Sequence, residues 1–295
     1  MSETTSIVMI SCFELIIVGK FLSIMWRLIW DNQLCMVLSK LETIHERLFR
    51  LHVVGPMKVK FNWFFVILII VNVIAIIITP IVWMTKNIKH LQIIDLIMQL
   101  VFNVFQCIAF FEYTLLVLYI QWMIYMINEQ IPKRTSCLSS FRDLYLEVIE
   151  CLSQVNRSIY GLPAIVVFIA SSIAEIILSF YCTILFPRDY INDPYFVFSF
   201  ISIFIRTSYI LLLYGIAHVT AKEINHTSLV LFQRSLIERN PRIKRQIKFF
   251  LLRRLHEYFH FELYGICQIN QRQLLILSNK AFAYLIIQIL FKLNK

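Results

Sequence analysis

The chain has 295 residues, of which 59% are hydrophobic and 16% are charged, and its formal net charge is +10. This composition excludes an ordinary soluble domain, and with it a nucleic-acid partner as the reason for the positive charge. We expect the basic residues to flank membrane-spanning helices, where anionic lipid headgroups are their partners.

Six apolar runs follow one another along the chain. They lie at residues 7–26, 61–84, 98–127, 162–186, 195–219 and 274–291. A helix needs about 20 apolar residues to cross the hydrocarbon core, and all but the last run reach that length. Because a backbone in lipid must satisfy its own hydrogen bonds, each run is predicted to be helical. The predicted fold class is all-α, a polytopic helical membrane protein with six visible spans.

Lysine and arginine are concentrated in the first, third and fifth gaps between the runs. The positive-inside rule places these gaps in the cytoplasm, so both the N-terminus of this chain and its C-terminus are predicted to be extracellular. The glycosylation sequons at Asn156 and Asn225 then fall on the cytoplasmic side, and we expect neither to be modified.

Helical periodicity continues into the basic gaps and predicts helix extensions below the membrane. The apolar stripes are Leu41, Ile44 and Leu48 in the first gap; Leu144, Leu146, Ile149 and Leu152 in the third; and Ile243, Ile247, Phe250, Leu251, Leu255 and Tyr258 after Pro241 in the last. Two interpretations remain open for these segments. They pack on one another, or the last one lies on the inner leaflet as a basic amphipathic helix.

Charged and polar side chains inside the runs are candidates for ligand binding, because each is costly in lipid unless it is paired or hydrated. Glu112, Glu175 and Arg206 lie near the middle of their runs, and an ion pair between Glu175 and Arg206 is geometrically reasonable. Such a pair is an interhelical staple, the polar floor of a ligand cavity or a charge in an ion path. The predicted ligand-binding residues are Trp83, Asn103, Gln106, Glu175, Tyr181, Ser202 and Arg206.

The sequence offers no motif for a metal, a cofactor or catalysis. The seven cysteines lack the spacing of a zinc site or a disulfide framework. His256 and His260 have no third ligand, and there is no glycine-rich phosphate loop or nucleophile elbow. We therefore expect no metal, no cofactor and no enzyme activity.

The C-terminal stretch carries an aromatic turn, a polar link and an apolar helix that contains Tyr284 and Phe291 at a spacing of seven. The turn and link are formed by Phe261, Tyr264, Gly265, Asn270 and Leu274. This stretch resembles the insect gustatory receptor family, the seven-helix chemoreceptor channels related to insect odorant receptors. Ala283 and Leu290 stand where the family has Thr and Gln. If the family's Gln faces the pore, the resemblance implies that Leu290 makes the constriction drier.

The resemblance implies a subunit of a tastant-gated, non-selective cation channel in the plasma membrane, assembled as a homo- or hetero-tetramer with other receptor subunits. It assigns residues 1–219 to a ligand-binding bundle, 220–273 to a cytoplasmic basic anchor region and 274–295 to a pore-lining helix. The implied pore and gate residues are Tyr284, Ile287, Gln288, Leu290 and Phe291. Aligned from the C-terminus, the six runs correspond to spans two to seven of the family, so that its first span would be absent.

Two other classes remain alternatives. A G-protein-coupled receptor would place its C-terminus inside the cell, so a tag at Lys295 that is accessible from outside would exclude it. A small transporter would use the charges at the middle of the membrane, and uptake of a substrate without a ligand-gated current would favour it.

Overall fold

The computed structural model describes residues 3–51, 67, 70, 71, 74, 90–134, 138–160, 165–185, 194–256, 259–263 and 267–293. These residues are predominantly helical. The helices are α1 (Glu3–Arg50), α2 (His90–Gln130), α3 (Leu138–Gln154), α4 (Val167–Leu185), α5 (Pro194–Ile237), α6 (Pro241–His256) and α7 (Gln271–Leu293). A π-helical turn, Val155–Ile159, extends α3.

Three of these helices are much longer than a membrane span requires. α1, α2 and α5 contain 48, 41 and 44 residues. At 1.5 Å per residue their lengths are about 60–70 Å, roughly twice the thickness of the hydrocarbon core. In α1 and α5 the helix continues from an apolar run into a basic gap without a break, which confirms the predicted helix extensions.

Two described segments are long and apolar enough to cross a membrane. They are Asn103–Gln130 in α2 and Ile203–Ile237 in α5, and a shorter apolar stretch, Val167–Ile177, lies in α4. The run at 61–84 falls outside the described residues except for four helical positions. The count of six spans therefore stays a prediction.

The extensions pack on one another. α3 contacts α1 and α2, and α6 contacts α5. Leu41, Ile44 and Leu48 of α1 are at most 1% exposed, as their predicted stripe requires. The rings of Tyr145 in α3 and Phe250 in α6 meet edge to face, with centroids 5.8 Å apart. The structure therefore favours a packed bundle over a helix lying on the inner leaflet.

The buried face of α3 differs from the stripe expected from the sequence. Its buried residues are Leu138, Phe141, Leu144, Tyr145, Val148, Cys151 and Leu152. Leu146 and Ile149 are half-buried and pack against the same core, so the predicted stripe lies at the edge of the buried face. The centre of that face carries the large rings of Phe141 and Tyr145, which the predicted stripe did not include.

A short hairpin precedes α7. Strands β1 (Glu262–Leu263) and β2 (Cys267–Gln268) pair in antiparallel fashion, and residues 264–266 of the predicted turn fall outside the described residues. Asn270 caps α7, because its Oδ1 accepts a hydrogen bond from the backbone N–H of Gln273 at 2.8 Å.

Both sequon asparagines are engaged inside the fold. Asn225 of α5 donates from Nδ2 to the carbonyl of Phe259 and accepts at Oδ1 from its N–H, both at 3.1 Å. Asn156 is buried and accepts a hydrogen bond from the hydroxyl of Tyr113 at 3.0 Å. A glycan on either side chain would disrupt these contacts, in agreement with the expectation that neither is modified.

The three predicted regions are not separated by breaks in the chain. α5 passes through the proposed boundary between residues 219 and 220 as one continuous helix. The division into a ligand-binding bundle, an anchor region and a pore helix stays a prediction.

Candidate functional site

Four polar side chains from four different helices meet inside the bundle. Lys20 Nζ of α1 lies 2.8 Å from Glu175 Oε1 of α4, and Arg206 Nε of α5 lies 2.6 Å from Glu175 Oε2. Asn103 Oδ1 of α2 accepts from Lys20 Nζ at 2.7 Å and from Arg206 Nη2 at 3.5 Å. We call Lys20, Asn103, Glu175 and Arg206 the polar cluster. It ties α1, α2, α4 and α5 together at one level.

The polar cluster is buried beneath an apolar exterior. The charged side chains are 8% exposed for Lys20, 15% for Glu175 and 10% for Arg206. Exposed apolar residues at neighbouring positions of the same helices face outward, among them Phe21 and Phe204. Buried ionic groups add little net stability as a complete set, because desolvation offsets their attraction, but removing one partner is costly.

The charges of the polar cluster do not balance. In the described part of the chain it contains two cations, Lys20 and Arg206, and one carboxylate, Glu175. Arg206 donates from Nε and Nη2, whereas its Nη1 is buried and has no hydrogen-bond partner among the described residues. A buried donor left unpaired costs about 1–3 kcal/mol, which makes this group a point where a ligand gains affinity.

A second polar layer lies about one helical turn away from the polar cluster. Gln106 follows Asn103 by three residues on α2, and its Nε2 donates to Ser171 Oγ of α4 at 2.8 Å. Ser171 in turn donates to the carbonyl of Phe168 at 3.0 Å. Gln106 Oε1 is buried without a partner in the described residues.

Below these layers, three aromatic rings close the centre of the bundle. Phe110 and Phe168 are stacked with centroids 4.8 Å apart, and Tyr209 meets them edge-on at 4.9 and 5.5 Å. We call Phe110, Phe168 and Tyr209 the aromatic floor. Edge-to-face rings at these distances pack without room for a further side chain, so the polar cluster is closed on this side.

A glycine allows α1 to approach α4 closely beside the polar cluster. A Cβ atom at Gly19 would lie 2.9 Å from Val167 Cγ1, a distance that neighbouring atoms do not tolerate. Small residues at helix contacts let backbones come together in membranes. Here the close approach places the adjacent Lys20 within reach of Glu175.

The structure places the predicted ligand-binding residues unevenly. It confirms the ion pair of Glu175 with Arg206, joins Asn103 to it and sets Gln106 one turn away. Glu112 is separate, because its Oε2 accepts from the hydroxyl of Tyr160 at 3.3 Å. Trp83 and the side chains of Tyr181 and Ser202 lie outside the described residues. That any of these residues binds a ligand stays a prediction.

Lys20 was missing from the predicted set, although a signal for it existed. It is a charged residue inside the first apolar run, as Glu175 and Arg206 are inside theirs. The same rule on intramembrane charge that selected those two residues also selects Lys20. Ser171 carried no comparable signal, because serines are common in membrane helices.

The predicted gate residues all belong to α7, which packs on α5. Of the five, Ile287 and Leu290 have described side chains, and these are 48% and 56% exposed. Further exposed apolar residues on this helix are Leu275, Ile276, Leu277 and Ile286. Much of the apolar surface of α7 is therefore uncovered within the described single chain.

Comparison with known families agrees with this architecture. The family model described as 7tm chemosensory receptor matches residues 4–295, almost the whole length. No curated protein matches the chain. The match is consistent with the resemblance of the C-terminal motifs and with the long apolar helices. The chain is a membrane protein that belongs to the 7tm chemosensory receptor family, the family of insect gustatory and odorant receptors.

Proposed function

We propose that the chain is a subunit of a tastant-gated, non-selective cation channel of the plasma membrane, with at least six spans and with both ends of this chain outside the cell. A small tastant binds at the polar cluster, and neither a cofactor nor an enzymatic step takes part. The polar cluster is the observation that supports this proposal most. Charges inside an apolar bundle are expensive, and in membrane proteins they mark functional sites.

The packing of the helices suggests how binding reaches the pore. The polar cluster joins α5 to three other helices, and α5 also contacts α7. A ligand that fits a different spacing of these helices shifts α5 and, through it, α7. It opens the pore only to the extent that it binds the open arrangement more tightly than the closed one. Phe291 at the end of α7 closes the pore as part of a hydrophobic constriction.

Uncovered apolar surfaces support assembly with further subunits, and we propose that the assembly is the tetramer that the family resemblance implies. Besides the exposed face of α7, the cytoplasmic end of α5 exposes Phe232 and Leu236, and α6 exposes Phe249. In the proposed topology the latter three lie below the membrane, where lipid does not cover them. Apolar patches on such a surface mark protein interfaces, which here are formed with neighbouring subunits.

The gate is tested by replacing Phe291 with alanine. Because the smaller side chain widens the hydrophobic constriction, Phe291→Ala is expected to raise the resting conductance of cells that express the protein. Phe21→Ala, which removes an exposed ring from α1, is the matched control and leaves the conductance unchanged. An unchanged leak for Phe291→Ala at equal surface abundance contradicts the gate.

The topology is tested with a tag after Lys295. Labelling of intact cells is expected, and labelling that requires permeabilisation overturns the orientation and favours a G-protein-coupled receptor. Because the polar cluster carries charge, a transporter is the second candidate. Uptake of a substrate without a ligand-evoked current would show that the protein is a transporter and would reject the channel.

A further inference from the structure

We propose that the polar cluster binds an anionic group, and that the ligand of this chain is a small organic acid held through its carboxylate. The role of this ligand in gating rests on the proposed function. The binding itself is argued from the charges and hydrogen bonds of the polar cluster.

The polar cluster carries an excess of positive charge. Lys20 and Arg206 share the single carboxylate of Glu175, each at one of its oxygens. Asn103 contributes a neutral acceptor and does not change the balance. Glu112 follows Asn103 by nine residues on α2 and contacts Tyr160 instead. In the described residues the polar cluster thus has a net charge of +1, and an anion would neutralise it.

The polar cluster also has hydrogen-bond donors that no described residue uses. Arg206 donates from Nε to Glu175 and from Nη2 to Asn103, and these two nitrogens lie along one edge of the guanidinium. Nη1 remains buried without a partner among the described residues, and the residue as a whole is 8% exposed. Ser172, three residues before Glu175 on α4, also has a buried hydroxyl without a partner in the part of the chain that is described. Guanidinium and hydroxyl groups both donate to carboxylates, and a charge-assisted bond to Arg206 is the stronger of the two.

The aromatic rings beside the polar cluster set the direction in which the rest of the ligand extends. The aromatic floor closes the polar cluster on one side, since its three ring centroids are 4.8 to 5.5 Å apart. The apolar body of the acid therefore extends the other way, toward the N-terminal end of α5 and the predicted extracellular face. An acid that enters from outside reaches Arg206 with its carboxylate leading.

Thermal unfolding of the purified full chain tests this binding without any channel activity. The probes are butyrate and benzoate, their uncharged partners butyramide and benzamide, and chloride as an inorganic anion, in a buffer of a bulky sulfonate at neutral pH. We expect both carboxylates to raise the midpoint of unfolding and the amides to have no effect. Equal effects of acids and amides overturn the proposal. Stabilisation by chloride alone overturns the assignment to an organic acid.

Variants connect the binding to the named side chains. Arg206→Gln removes both the unused donor and the excess charge, and we expect the stabilisation by carboxylates to disappear. Lys20→Gln removes the excess charge but keeps Nη1, so a reduced stabilisation is expected, and this variant decides the matter if Arg206→Gln does not fold. Arg47→Gln removes a cation from an exposed pair and is the matched control, with the full effect retained. Unchanged stabilisation of the Arg206→Gln or Lys20→Gln protein contradicts the proposal.

The two proposals fail in different ways. Carboxylates that bind but evoke no current leave the anion site intact and reject the channel. If neutral compounds evoke currents and no carboxylate stabilises the protein, the proposal of a channel is kept and the proposal of an anion site is rejected.

Discussion

α1 uses its charges differently in its two halves. In the apolar half Lys20 shares Glu175 with Arg206 inside the bundle. In the other half Lys40 pairs with Glu150 at 2.7 Å on the surface, where the carboxylate accepts a hydrogen bond and raises the pKa of Lys40. Exposed pairs contribute about 0–1 kcal/mol because water screens them, whereas breaking a buried pair costs about 3–5 kcal/mol.

The two halves of α1 differ in the free-energy cost of their charged side chains. The C-terminal half of α1 is stabilised by ordinary apolar packing, with Leu41, Ile44 and Leu48 buried, and its ion pairs are accessory. The apolar half contains charges that an apolar core could replace at no loss of stability. A binding site requires charged groups at this position, whereas the packing of the helices does not.

The largest expected effect is that of Glu175→Gln. The substitution leaves Lys20 and Arg206 buried without a counter-charge, so we expect a loss of about 3–5 kcal/mol in the free energy of unfolding. The midpoint of thermal unfolding of the detergent-solubilised protein measures it. Glu150→Gln, which breaks the exposed pair, is the control and should cost no more than about 1 kcal/mol. Similar losses for both variants would remove the difference between the two halves.

A smaller effect is expected at the contact between α1 and α4. Gly19→Ala places a methyl group 2.9 Å from Val167 Cγ1, and such overpacking costs about 1–3 kcal/mol. Gly215 of α5 is the control, because nothing lies within 4 Å of a Cβ atom built there. Gly215→Ala should stabilise the helix by roughly 0.5–1 kcal/mol. The same unfolding assay compares the two variants. A change of the same sign in the free energy of unfolding of both would argue against the close approach at Gly19.

The smallest expected effect is a difference in chemical labelling between two cysteines, Cys35 and Cys151. Burial raises the pKa of the Cys151 thiol to about 11, so little thiolate forms at neutral pH. Cys35 is exposed on α1. Because the thiolate is the reactive form, a maleimide should modify Cys35 and spare Cys151. Peptide mass spectrometry of the purified full chain checks this, and rapid modification of Cys151 would show that α3 is not packed as described.

The sequence predicted the features that depend on composition and period. The stripe at Leu41, Ile44 and Leu48 was found because a regular spacing of apolar residues indicates one buried helix face. The pair of Glu175 and Arg206 was found because charges at similar depth on adjacent antiparallel helices come within reach of each other.

What the sequence did not predict depends on contacts between distant segments. The intramembrane charge marked Lys20 as a candidate, but its pairing with Glu175 depends on the close approach of α1 to α4 at Gly19, which no local pattern reveals. The hairpin before α7 has two residues in each strand, which is too short for an alternating pattern. On α3 the rings of Phe141 and Tyr145 are fully buried, although the predicted stripe did not include them.

The central claim is that a ligand acts at the polar cluster, and a dose–response curve of ligand-evoked current tests it most directly. A panel of acidic and neutral tastants is first applied to the unmodified chain, and the compound that evokes the largest current is chosen. The measurement then compares Arg206→Gln with Arg47→Gln at equal surface abundance. Loss of one charge-assisted hydrogen bond should raise the half-maximal concentration for Arg206→Gln by roughly tenfold or more. Arg47→Gln should leave it unchanged. Coincident curves for the two variants would contradict the account.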